Sequence, residues 1–421
     1  MKIHYIFLLL WKIELTLIPI LALLDFGFSA GLDSNFFARF GYLAAFGTAI
    51  FYLFSRSNGI PAHPIIAIFL TILIVGVTKG IFENNFNSAF FSHVYYVIMP
   101  LIMCSYGWHF MDDYARSDSL QRKFTKLFRF AFYIGLIVVI LFQIAYRSGL
   151  ANYDAMGIWN FLLSAPYLLQ QANGLMLFAT SLLFTLLAGK RGILVVFLVY
   201  LVIMVYLSSS KNKAKLLLAT PFIAMSFLIL AQDSSNVGLG RAEKTVAAIQ
   251  EGDFDSASAM RWSEAASAFA YMDSRMDHWF LGTGFGSRYQ PHPELPGYED
   301  FYRHYTHFGI ISYIWIGGVF APFLIYTILL VTAISLTIHI KRGTLDKRFH
   351  FFAYWIWGII TVSMFGAVLM NNSFLWFIIG CCLKLKKRAS TYPFQRNRSA
   401  GFSLPAPSVG NQAKPFEVQS K

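Results

Sequence analysis

Apolar residues in this chain gather in long unbroken blocks, separated by short polar or basic intervals. Blocks of roughly 17–25 residues are each long enough to cross a bilayer as a helix. They fall at about 5–24, 36–54, 63–79, 91–110, 127–147, 152–170, 173–189, 192–207, 214–231, 308–339, 350–369 and 371–385. The ten-residue alternation of a membrane barrel is missing from the pattern. The blocks therefore predict an all-α, polytopic helical membrane protein with about twelve transmembrane helices over residues 1–388. One long polar interval, 232–306, predicts an external loop. Residues 389–421 are rich in Pro, Ser, Gly, Asn and Gln and predict a disordered cytoplasmic tail.

Composition agrees: of 421 residues, 57% are hydrophobic and only 13% charged, far from an ordinary soluble globular chain. The net charge of +13 raises nucleic acid as a partner, but the basic residues sit in interhelical loops and the tail. That is the positive-inside pattern, and nucleic acid is set aside. Four basic clusters orient the helices: Arg116–Arg129, Lys211–Lys215, Lys341–Arg348 and Lys384–Arg388. Placing all four in the cytoplasm requires the weak segment Tyr153–Leu169 to cross as well. Lys190, Arg191 and the long loop then share the non-cytoplasmic face. Lys12 and Glu14 lie inside the first block, where ionisable side chains are expensive, and read as a local neutralising arrangement. Cys104, Cys381 and Cys382 lie in apolar segments, with no disulfide framework or metal spacing.

Polar chemistry concentrates between Arg261 and Gly318. Residues Asp255–Trp279 read as one amphipathic helix, with Ala265, Phe269, Met272, Met276 and Trp279 on a single stripe that faces a membrane surface. Arg261 falls on that stripe, either pointing at a lipid diphosphate or snorkelling at the interface. Glu264, one turn on, is placed to orient it. The run Gly282-Thr283-Gly284-Phe285-Gly286-Ser287-Arg288 fits neither a dinucleotide fingerprint nor a P-loop. Its glycines either make a tight turn or expose N–H groups to an anion. Arg303, His304 and His307 precede the next apolar block. Histidine suits proton transfer from a hydroxyl near neutral pH, although a lone interfacial histidine is more often structural. His292, His304 and His307 lack a regular metal-ligand spacing.

Three pieces resemble the bacterial O-antigen ligase and polymerase superfamily. Gly189-Lys190-Arg191-Gly192 is similar to its Ser-Arg-Gly/Ala turn. Arg261 with Ala265, followed by Leu281–Gly286, is similar to its Arg helix and Pro-Leu-x-Gly-x-Gly-x-Gly run. His307 with Gly318 is similar to its His-Asn helix opening with a later Gly. Lys190 stands where Ser is usual, Trp279 or Phe280 where Pro is common, and Phe308 where Asn is usual. The last departure favours a polymerase over a ligase.

The resemblance implies an enzyme of the bacterial inner membrane, with its site on the periplasmic face and without metal or other cofactor. The donor would be a polyprenyl-diphosphate-linked oligosaccharide, with membrane lipid around it and chain-length regulator and flippase proteins as partners. Arg191 and Arg261 would hold the diphosphate and His307 would act as general base. Arg288, Arg303, His304, Glu264, Gly282, Gly284 and Gly286 would make further substrate contacts. A transporter or flippase is the reading from a different class; inverted repeats would mark one, and no internal repeat is visible.

Overall fold

The computed structural model describes residues 2–22, 24, 34–55, 59–147, 158–169, 174–187, 191–208, 247–253, 261–291, 302–366 and 368–391. Helices α1 (Lys2–Ala22), α2 (Ser34–Ser55), α3 (Pro64–Phe82), α4 (Ser88–Arg116) and α5 (Asp118–Arg147) come first. They are followed by α6 (Ile158–Leu168), α7 (Gly174–Leu187) and α8 (Arg191–Leu207). The polar interval contributes α9 (Arg261–Asp273) and α10 (Met276–Leu281). Then come α11 (Gly309–Gly317), α12 (Phe320–Lys341), α13 (His350–Phe365), the short α14 (Val368–Asn371) and α15 (Ser373–Thr391). An isolated bridge, Tyr289 to Arg303, is the only strand-type pairing among the described residues.

The all-α expectation holds, but the expectation of about twelve transmembrane helices does not. Among the described residues, five helices are long and apolar enough to cross a membrane: Lys2–Leu21, Pro64–Phe82, Ser88–Arg116, Asp118–Ala145 and Phe320–Lys341. Hydrophobicity located the helices without fixing their lengths. The 152–170 block yields an 11-residue helix, about 17 Å long against roughly 30 Å of hydrocarbon. Its Asn160 and Ser164 are buried, and Asn160 Nδ2 donates to Leu15 O at 2.7 Å. The 308–339 block is two helices, α11 and α12, parted at Gly318, whose φ is +75°. Helix α13 has 16 residues, and α15 carries Lys384, Lys386, Lys387 and Arg388 within its length. The 214–231 block lies outside the described residues, as does the predicted tail beyond Thr391; residues 389–391 belong to α15. Without twelve spans, parity no longer places Arg191 beside the long loop.

The bundle is fastened by close backbone approach and by buried polar pairs. Helices α4 and α15 cross at Gly107 and Gly380: a Cβ on Gly107 would overlap Phe377 O, and one on Gly380 would overlap Cys104 O. Small residues here let the two backbones touch. Trp11 stacks on Phe374 at 4.7 Å beside this crossing. Fully buried His4 bridges Tyr106 Oη (2.9 Å) and Asp113 Oδ2 (2.8 Å), tying α1 to α4. Lys384 pairs with Asp112 at 2.7 Å. Lys12 and Glu14 part company rather than neutralising each other. Lys12 Nζ lies 4.4 Å from the Phe130 ring centre, and Glu14 Oε2 is buried without a hydrogen-bond partner.

Candidate functional site

The predicted helix over Asp255–Trp279 is two helices, broken at Ser274–Arg275; residues 254–260 lie outside the described set. Over α9 the apolar stripe packs against protein. Ala265, Ala268 and Met272 are buried, and Tyr271 packs on Trp315 of α11 at 5.0 Å. Trp279 folds back to stack on Phe269 at 5.5 Å, and Met276 is left 74% exposed. The break follows from packing, because one straight helix would carry Trp279 away from Phe269.

The glycine run docks against the helix break and the α3–α4 turn. Gly282, Gly284 and Gly286 have φ of +79°, +84° and +89°, a region that only glycine enters without strain. A Cβ on Gly282 would lie 2.5 Å from Ile316 O, and one on Gly286 would overlap Asn85 O. Gly318 is the reciprocal contact, since its Cβ would overlap Phe280 O. Two motifs 36 residues apart in sequence (282 to 318) are thus one backbone-to-backbone joint. The Phe285 ring fills the space that a side chain at Gly76 of α3 would need, and the Phe285 carbonyl the space at Gly80. Within the run, Thr283 N–H donates to Trp315 O (2.8 Å), Phe285 N–H to Gly76 O (3.0 Å) and Gly286 N–H to His93 Nδ1 (3.1 Å). Of the two sequence readings for these glycines, the tight turn is what the structure displays.

The bridge between Tyr289 and Arg303 brings the end of this run to the segment before α11. There Glu264, only 2% exposed, gathers three partners. Arg303 Nη1 lies 3.0 Å from its Oε1, Tyr289 Oη donates to the same oxygen at 3.2 Å, and His307 Nδ1 lies 2.6 Å from its Oε2. Arg303 Nη1 also approaches His307 Nδ1 at 2.8 Å. Arginine only donates and a carboxylate only accepts. Two partners therefore compete for Nδ1: the shorter contact, to Glu264, needs a proton there, whereas donation from Arg303 needs a lone pair. With the proton on Nδ1, Arg303 donates to Glu264 alone and Nε2 keeps its lone pair. The His307 side chain is 42% exposed, and Arg303 Nη1 also lies 3.4 Å from Nε2. Burial pushes the Glu264 carboxyl up, but the hydrogen bond from His307 and the charges of His307 and Arg303 outweigh it and hold it below the usual carboxylate range. Burial, and then the neighbouring Glu264 charge, push the Tyr289 hydroxyl well up, so it remains a donor. Thr306 and Ser312, both buried, clasp each other at the start of α11 (Ser312 Oγ to Thr306 O, 2.7 Å). Thr306 Oγ1 also donates to Phe308 O at 2.9 Å, while Phe308 itself makes no side-chain cap.

The other expected site residues fall as follows. Arg261 begins α9, one turn before Glu264, and Glu264 turns to His307 and Arg303. Arg191 begins α8, and its side chain lies outside the described residues. Arg288 is exposed and donates to Ser88 Oγ at 2.7 Å, at the N-terminus of α4. His304 stacks parallel to Tyr96 at 6.1 Å; burial, then the Arg288 charge, lowers its pKa.

A second polar cluster carried no sequence signal, because its members come from distant segments. Lys79 pairs with Asp277 (2.6 Å), and Arg275 bridges Asp277 (2.9 Å) and Glu83 (2.8 Å). The hydrogen bond from Lys79 brings Asp277 down to about 2. Glu83, Asp277 and buried His278 place potential ligand atoms within 4.8 Å of one another. Lys79 and Arg275 already balance both carboxylates, so the cluster is an ion-pair clamp between α3 and α10. His93 and Tyr289, too, were invisible as site residues in the sequence.

No protein-family model matches the chain, and no curated protein matches it.

Proposed function

We propose that the protein is a membrane glycosyltransferase that polymerises O-antigen or exopolysaccharide repeat units at the periplasmic face of a bacterial inner membrane. The observation that carries this reading is the 2.6 Å contact of buried Glu264 with His307 Nδ1. A carboxylate that fixes one ring nitrogen as donor makes the other the base, which is the logic of catalytic triads. In the proposed step an acceptor sugar hydroxyl attacks the anomeric carbon of a polyprenyl-diphosphate-linked glycan. The new C–O bond forms as the bond to phosphate breaks, His307 Nε2 takes the hydroxyl proton, and the polyprenyl diphosphate leaves with the bonding pair. Arg261 and Arg191 would hold the diphosphate, as cations aimed at developing negative charge stabilise such a leaving group. Arg303 keeps Glu264 ionised and in place.

Alanine at Arg191, Arg261 or His307 is expected to abolish repeat-unit ladders on the lipid carrier while protein levels hold. Normal ladders in all three variants would overturn the reading. A ligase would instead show intact ladders and an acceptor left uncapped.

Transport is the second reading, and the helix break at Gly318 favours it, since discontinuous helices often line substrate paths. Uptake of a lipid-linked oligosaccharide into vesicles, unaffected by alanine at Glu264 or His307, would select it.

A further inference from the structure

We propose that His93 of α4 is a positioning residue for this site, holding the 302–307 segment, and with it His307, in register with the glycine run. The His93 ring is fully buried. Its Nδ1 accepts from Gly286 N–H at 3.1 Å, and its Nε2 lies 2.7 Å from His304 O. A backbone N–H only donates and a carbonyl only accepts, so the proton must sit on Nε2. Both ring nitrogens are spent, and the ring is a crosspiece between two loops. The start of α4 is itself anchored to the run, through Asn87 Nδ2 to Gly286 O (2.9 Å) and Arg288 to Ser88 Oγ (2.7 Å).

The segment that carries His307 is pinned residue by residue: Arg303 by the bridge to Tyr289, Tyr305 O by Tyr289 Oη at 3.1 Å, Thr306 by Ser312, and His307 by Glu264. These pins come from α9, α11 and the glycine run's end. The one at His304 comes from α4, a helix long enough to span a membrane, and so ties the site to the bundle.

The catalytic meaning of this crosspiece rests on the transferase reading; the contact does not, and the test reads the contact first. The full-length protein in detergent is treated with diethyl pyrocarbonate, and carbethoxylation of His307 is timed by mass spectrometry, with His109 farther along α4 as the internal reference for folding. Gln in place of His93 keeps a donor at the Nε2 position, whereas Asn keeps a polar group only near Nδ1. With His93→Asn, and with His93→Ala, His307 should react at least about threefold faster, because a looser segment opens more often. His93→Gln should return the rate toward wild type. Equal His307 rates in wild type, Gln and Asn variants overturn the proposal. If His93→Ala also speeds His109, the Gln-against-Asn comparison decides alone. Polymer formation measured on the same variants separates the two ideas. A His307 rate that follows the crosspiece while polymer is untouched refutes the transferase reading and leaves the positioning intact.

Discussion

Glu264 Oε2 and His307 Nδ1 lie 2.6 Å apart across 43 positions of sequence, with the carboxylate buried and the imidazole partly exposed. That asymmetry is what a general base requires, and it makes the first prediction specific. Glu264→Gln keeps the size but loses the negative charge that stabilises a protonated imidazole. Transfer in vitro from a lipid-linked donor should fall about 100-fold or more in kcat, with a smaller change in KM. A variant within fivefold of wild type would remove Glu264 from the mechanism.

The glycines separate strain from collision. Gly343 has φ +68° with open space around it, whereas Gly286 and Gly318 combine positive φ with a neighbouring carbonyl in the way. Gly343→Ala should lose about 1–2 kcal/mol, the strain alone. Gly286→Ala and Gly318→Ala should lose clearly more, seen as lower thermal midpoints in detergent. Equal losses at all three positions would mean that the joint is not tight.

Acid should loosen both polar clusters. Glu264 and Asp277 both have folded values below their unfolded ones, so each contact is fully stabilising above the unfolded value and is lost as pH falls through the folded one. The thermal-midpoint gap between wild type and Glu264→Gln should hold above about pH 4.3 and close below it. The gap for Asp277→Asn should be full above about pH 3.9, shrink below it and close as pH reaches the folded value of about 2. A gap that widens on acidification contradicts the sign.

Cys104, Cys381 and Cys382 are buried between α4, α13 and α15. A membrane-impermeant thiol reagent should leave all three unlabelled until the protein is denatured. The wild-type background is then silent enough to ask which side of the membrane a cysteine at position 191 faces. Labelling of the native chain would show the α4–α15 contact to be open.

The pattern of apolar blocks placed nearly every described helix, because helix position follows where apolar side chains accumulate. It overstated the number of spans, because a hydrophobic run does not reveal whether it meets lipid or other helices. The 152–170 block is the clearest case: its 11-residue helix is sheathed by protein.

The sequence by itself determined the all-α class, the polar interval and the candidates within it, since Arg, Glu, His and Gly stand out against so apolar a chain. It paired Glu264 with Arg261, one helical turn away, because only neighbours along a helix are visible in one dimension. The tertiary structure decided that Glu264 meets His307, that Gly282 interlocks with Gly318, and that His93 ties the loops to α4. Each of those contacts depends on where two distant backbones come to rest against each other, and that is set by packing in three dimensions, not by local spacing.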